Sequence, residues 1–122
     1  MASILVVDDD DMVRQLTRRI LETHGYEVFT AGSGMQAMLV CEERPGDIWL
    51  LVSAAQLPDM LGVELSKLAE SSQPHMAVLM TAGASEPPPD PDTLRKPFTT
   101  DDLMVQVRRL LDAALRARAL AD

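Results

Sequence analysis

Short apolar runs alternate with helical patterns along the whole chain, and no other feature constrains the fold as much. Ile4-Leu5-Val6-Val7 is rich in β-branched residues and does not alternate with polar ones, so it reads as a strand buried on both faces. Val13, Leu16, Ile20 and Leu21 then recur at spacings of three and four, with Arg14, Arg18 and Arg19 elsewhere, which predicts an amphipathic helix. Asp10 or Asp11 is placed to cap it, and Gly25 to stop it in the left-handed conformation. Tyr26 to Ala31 is the second strand candidate. Ser33 caps a helix from about Gly34 to Glu43, with Ala37, Met38 and Cys41 inward and Pro45-Gly46 ending it. Ile48 to Val52 is the third and most apolar strand, with Trp49 expected in the core. After a turn from Pro58 to Gly62 comes a helix from Val63 to about Ser71, with Leu65, Leu68 and Ala69 as its stripe. Ala77 to Met80 is the fourth strand and Leu94 to Lys96 a short fifth. Thr99 or Thr100 caps the last helix, with Asp102 in place for a capping box and Leu103, Val107, Leu110, Leu111 and Leu115 as the buried stripe.

Strands that alternate with helices require crossover connections, hence a parallel sheet covered on both faces. In such sheets ligands bind outside the carboxyl ends of the strands, so polar residues there are the candidate site. Four such points exist: Asp8-Asp9 after the first strand, Ser53-Ala54 after the third, Thr81-Ala82 after the fourth and Lys96-Pro97 after the fifth.

The chain's 122 residues fit one domain spanning 1–122. Its 19 Asp and Glu against 11 Lys and Arg give a net charge of -8. A surface this acidic repels phosphate backbones, which argues against direct nucleic-acid binding. Cys41, the single cysteine, excludes a disulfide framework and a cysteine zinc site, and fits a reducing compartment. The N-terminus has no basic region followed by a long apolar stretch, and no run reaches membrane-spanning length, so the expectation is a cytoplasmic protein without membrane insertion. His24 and His75 are not in a ligand spacing.

Read together, these points resemble the receiver domain of two-component response regulators. Val6-Val7-Asp8-Asp9 is similar to that family's acidic pair, and Leu57-Pro58-Asp59-Met60-Leu61-Gly62 to its Met-Pro-x-Met-Asp-Gly loop, with Leu57 and Leu61 departing from it. Met80-Thr81-Ala82 and Lys96-Pro97-Phe98 resemble the motifs that close its fourth and fifth strands. The opening stretch and residues 47–52 look most like receivers attached to hybrid histidine kinases. The resemblance covers essentially the whole chain. It implies a three-layer (βα)5 flavodoxin-like fold with a five-stranded parallel sheet in the order 2-1-3-4-5. It also implies a signalling module rather than an enzyme, one that takes a phosphoryl group from a histidine kinase or histidine phosphotransferase. The implied metal is Mg2+, held by Asp9, by Asp8 through water, by the acceptor carboxylate and by the backbone carbonyl of Gln56. Lys96 would neutralise the phosphoryl oxygens, and the Thr81 hydroxyl would hydrogen-bond one of them.

The acceptor position itself departs from the family. Counting four residues back from Pro58 lands on Ala54, and a methyl group can neither attack phosphorus nor ligate a metal. The expectation is therefore a chain that is not phosphorylated at the family's site and binds Mg2+ more weakly, whether Ala54 is a substitution or natural. The usual aromatic residue of the fifth strand is replaced by Thr93. Pro87-Pro88-Pro89 and Pro91 between the fourth and fifth strands disfavour helix, so the fourth helix is expected to be short or missing. Without the resemblance, Asp8 to Asp11 would read as a solvated turn and helix cap, and Thr81 and Lys96 as strand-end polar groups. Asp59 could be argued as a substitute acceptor, but it lies in the turn beyond the strand end and is expected to have a surface role. Cys41 reads as inert core. Two alternatives stand beside this reading. One is a phosphate-independent interaction module of the same fold. The other is a small flavodoxin-like binding domain or hydrolase, disfavoured by the lack of a Gly-rich phosphate loop and of a Ser/His/Asp set. The downstream target is not encoded in these residues. With no output segment among them, the module is expected to act by docking or as part of a longer chain.

Overall fold

In the computed structural model, which describes residues 2–121, nine elements follow one another. They are β1 (Ser3–Val7), α1 (Asp11–Thr23), β2 (Glu27–Ala31), α2 (Gly34–Glu43), β3 (Ile48–Ala54), α3 (Gly62–Ala69), β4 (Ala77–Ala82), β5 (Leu94–Arg95) and α4 (Thr100–Ala121). All strand pairs are parallel, and the sheet order is β2-β1-β3-β4-β5, as the resemblance implies. No helix lies between β4 and β5, so the fourth helix in the chain is the C-terminal one.

The sheet separates two apolar layers. Ile4, Val6, Leu50, Val52 and Leu79 pack with Leu21 of α1 and with Leu103, Val107 and Leu111 of α4. Leu5, Val7 and Leu51 pack on the other face with Ala37 and Cys41 of α2 and with Leu65 and Ala69 of α3. Each large aliphatic side chain buried this way contributes about 1.5–3 kcal/mol relative to exposure. Burial raises the Cys41 thiol above its ordinary pKa, with Glu42 adding to the effect, in keeping with a packing role.

Local signals set the boundaries. The Asp10 carboxylate accepts from the N–H groups of Met12 and Val13, so Asp10 is the cap of α1 and Asp11 its first residue. Gly25 has φ 92°, a conformation that side chains with a Cβ rarely adopt. Thr99 caps α4: its hydroxyl accepts from Asp102 N–H, and its own N–H donates to the Asp102 carboxylate.

Several expectations need correction. Leu16, Leu68 and Leu115 are more than half exposed. Thr17 with Leu21 seats α1 instead, Leu65 with Ala69 seats α3, and Leu111 with Ala114 seats α4. In each helix an i, i+4 or i, i+3 pair meets the sheet, and the next apolar position falls outside the contact. Trp49 is half-buried, with the Arg118 guanidinium 3.8 Å from its ring centroid. It lies at the start of β3, roughly 16 Å of strand from Ala54, so it does not report on the site. β5 ends at Arg95, one residue short of Lys96, although Lys96 N–H still donates to Ala82 O.

One polar group sits deep in the base of the fold. Gln73 is 2% exposed, accepts from Ile48 N–H and donates to the carbonyls of Cys41 and Arg44. It thereby satisfies free carbonyls at the end of α2 and the first donor of β3 at once.

Candidate functional site

Strand alternation decides which side chains share one face. Val6, Val52, Leu79 and Leu94 all point to the α1/α4 layer. Two residues further along lie Asp8, Ala54, Thr81 and Lys96, in the same phase. Register brings Asp8, Ala54 and Thr81 level, since Val7 pairs with Ser53 and Ala54 with Thr81, while Thr81 pairs with Leu94 and leaves Lys96 two residues further out. The sheet thus gathers all four at its carboxyl edge.

Asp8 is 3% exposed, yet its carboxylate has partners. Oδ1 accepts from Asp10 N–H at 2.9 Å, and Oδ2 receives the Lys96 ammonium at 2.7 Å. β3 and β4 lie between β1 and β5, so this ion pair bridges the strands that carry Ala54 and Thr81. A buried carboxylate without such a cation would carry a large desolvation penalty. Asp9 is exposed and faces solvent beside α1. Ala54, at the end of β3, is 6% exposed and carries only a methyl group. Thr81 is 4% exposed. Gln56 lies in the turn after β3, bridged to Leu61.

Three contributors act in ways the sequence reading did not assign. Arg14 donates from Nη1 to Asp8 O at 2.7 Å and pairs with Asp11, fixing the backbone that aims the acidic pair; its spacing of three from Asp11 was the available signal. A Cβ on Gly62 would lie 2.5 Å from Ala54 O and 2.8 Å from Met80 Sδ, so only glycine lets α3 start against the end of β3. Asp59, expected on the surface, caps α2 from a distant turn. It accepts from Gly34 N–H at 2.8 Å and Met35 N–H at 2.9 Å, and these bonds hold its carboxyl below the ordinary value of 3.8.

The oxygens the sequence offers for a hard divalent cation are the carboxylates of Asp8 and Asp9 and the Gln56 carbonyl, and they could hold one only with water completing the shell. Among the described residues, no three carboxylates, imidazoles or thiolates converge to hold a metal. These oxygens suit Mg2+ in kind, but Asp8 is engaged by Lys96 and β3 contributes a methyl group where a third carboxylate would complete the set. No helix among the described residues is long and apolar enough to cross a membrane.

Known proteins resemble this chain in sequence and fold. A family model of the response regulator receiver domain matches residues 4–108. Sensor kinase CckA of Brucella abortus is 31% identical over 119 residues, which cover 91% of this chain and 13% of that kinase. The response regulator receiver protein CpdR of the same species is 30% identical over 122 residues, covering 93% of this chain and 100% of that protein. Against response regulator MprA of Mycobacterium leprae the chain spans 50% of the relative's length, at 32% identity. Among solved structures, a CheY-like receiver domain protein from Methanospirillum hungatei superposes with TM-score 0.84 at 28% identity, over 96% of this chain and 98% of that one. The receiver domain of hybrid histidine kinase CckA gives TM-score 0.80 at 32% identity, over 90% and 99%. Matched from Ile4 to Arg108 by the family model and paired end to end with a whole receiver protein, the chain belongs to the response regulator receiver family of two-component systems.

Proposed function

We propose that this chain is a receiver module whose phosphoryl-accepting step is blocked at Ala54. The observation that supports this is the row at the carboxyl edge: Asp8, Thr81 and Lys96 are in phase around a β3 end that offers a methyl group. Receiver domains are signalling modules. In the parent reaction, the P–N bond of a phosphohistidine on a histidine kinase or phosphotransferase breaks and a P–O bond forms on a carboxylate oxygen. Here Lys96 and Thr81 are the groups that would meet the phosphoryl oxygens, and Asp8, Asp9 and the Gln56 carbonyl would hold Mg2+. That ion supplies charge neutralisation for the transfer. We take residues 1–122 as one receiver unit, acting in a reducing, cytoplasmic setting that suits the free, buried Cys41 and without direct nucleic-acid contact, given the net charge of -8.

The test is to incubate this chain and Ala54→Asp with Mg2+ and acetyl phosphate and to weigh both intact. A phosphoryl mass on Ala54→Asp alone is the expected result. Labelling of the unmodified chain, or of neither protein, overturns it. The same variant carries a second readout. A carboxylate added about 5 Å from another at an effective dielectric of ~20 meets a repulsion of roughly 3 kcal/mol before relaxation. Ala54→Asp therefore melts lower than the parent in EDTA, and Mg2+ restores more of its midpoint than of the parent's. Equal midpoints in EDTA contradict the placement.

A second reading, a phosphate-independent interaction module, is favoured by the Lys96–Asp8 pair. With the ammonium already neutralised by Asp8, the site holds one fixed arrangement without a phosphoryl group.

A further inference from the structure

We propose that the groove between α3 and the β4–β5 connection docks a basic amphipathic helix from a partner protein. The β1–β2, β2–β3 and β3–β4 crossovers each lay a helix on the sheet; the β4–β5 crossover, Gly83 to Thr93, does not. Its four prolines lack the N–H groups a helix needs. A parallel sheet is normally covered on both faces, so this stretch of β4 is left open. Met76 and Val78 face the α3 side and are only half-buried, whereas Leu79, facing α4, is 1% exposed.

The opening has the form of a helix seat. Val63 and Ser66 on α3 and Glu70, its C-cap, recur at three and four along one wall, about two helical turns. A cavity of about 440 Å³ lies between Val63 and Pro87-Pro88-Pro89. A second, of about 390 Å³, lies between Ser66, Glu70 and the Met76–Val78 edge. Met76, Val78 and the three prolines give the floor its apolar part, Ser66 and Gln73 its polar part, and Glu70 is the acid that lines it. Glu70 stands on the α3 wall, and the connection carries Glu86, Asp90 and Asp92 with no basic residue. Asp92 is engaged by Arg109 at 3.7 Å. Two cations lie nearby. Lys67 sits on the outer edge of α3, and Arg95 turns its guanidinium onto the carbonyls of Gly83, Ala84 and Glu86. Charge complementarity therefore selects a helix with an apolar stripe flanked by Lys or Arg, and disfavours a second copy of a chain with net charge -8.

This inference goes beyond the receiver role and needs no phosphoryl transfer. Its test contains no phosphodonor, so its failure leaves the acetyl phosphate result untouched. The probe is a fluorescein-labelled sixteen-residue designed helix (about four turns) with leucines at helical spacing and lysines on the flanks. Its partner probe carries glutamates in place of the lysines. The full chain is expected to bind the lysine peptide and not the glutamate one by anisotropy, with amide NMR shifts at Ser66, Glu70, Met76, Val78 and Gly83. The double variant Glu70→Lys, in the cavity lining, with Glu86→Lys, on the connection, weakens binding by about tenfold, with an unchanged melting midpoint. Equal binding of both peptides, shifts confined to another face, no binding, or a sedimentation dimer of the chain with those same shifts would each overturn the proposal.

Discussion

At Asp59 two backbone donors from another element converge on one carboxylate, and the residue stands at the N-terminus of α2, where negative charge is favoured. The direction of its pKa shift fixes a pH dependence. Because the folded value lies below the ordinary 3.8, this contribution is fully present above about pH 4 and is lost as the pH falls through the folded value. Asp59→Ala therefore melts lower than the parent at pH 7, and the two midpoints converge as the pH falls through the folded value. Melts across that range check it; a constant gap would mean that the carboxylate charge plays no part. Ala54, Thr81 and Lys96 illustrate a different point at this scale. Each is unremarkable alone; a shared face, and for Lys96 the ion pair to Asp8, make them a group.

Among the elements, α3 is placed by contact rather than by propensity. Gly62 opens it against Ala54 O and Met80 Sδ, and its N–H donates to Ala55 O. Gly62→Ala forces backbone to move and is expected to cost about 1–3 kcal/mol. Gly34→Ala meets only the Met60 side chain, a flexible thioether that can swing away, and is expected to cost less than half as much. Urea titrations of the two variants decide; equal losses would mean that backbone crowding is not what selects glycine at position 62. The exposed Leu16, Leu68 and Leu115 belong here too. Periodicity marks an apolar stripe, but a helix lying on a sheet contacts it through a narrower strip, and the exact rotation is set by what lies beneath.

For the molecule as a whole, local stability should follow burial across the sheet. β1 is flanked by β2 and β3 and every residue in it is buried, whereas β5 is a two-residue edge strand joined to β4 by a connection without helix. Hydrogen exchange is expected to be slowest in β1 and β3 and fastest through Gly83–Arg95, with the β5 amides opening independently of the core. Uniform protection would show instead that the proline-rich connection is tied into the core. The alternation of strand and helix, the caps at Asp10 and Thr99, the stop at Gly25 and the proline-bearing crossover were all readable along the chain, because each depends on a few neighbouring residues and on backbone chemistry. The four motifs at strand ends were readable as well, through their order. Other features depended on which distant segments meet. These are the Lys96–Asp8 pair across 88 residues, Asp59 capping α2, Gln73 joining α2 to β3, and the groove beside α3. Sequence determined which segments become strands and helices, since hydrogen bonding and apolar period are local. Only the tertiary structure decided which charges neutralise one another and which apolar face stays open, since both depend on distances set by sheet order and register.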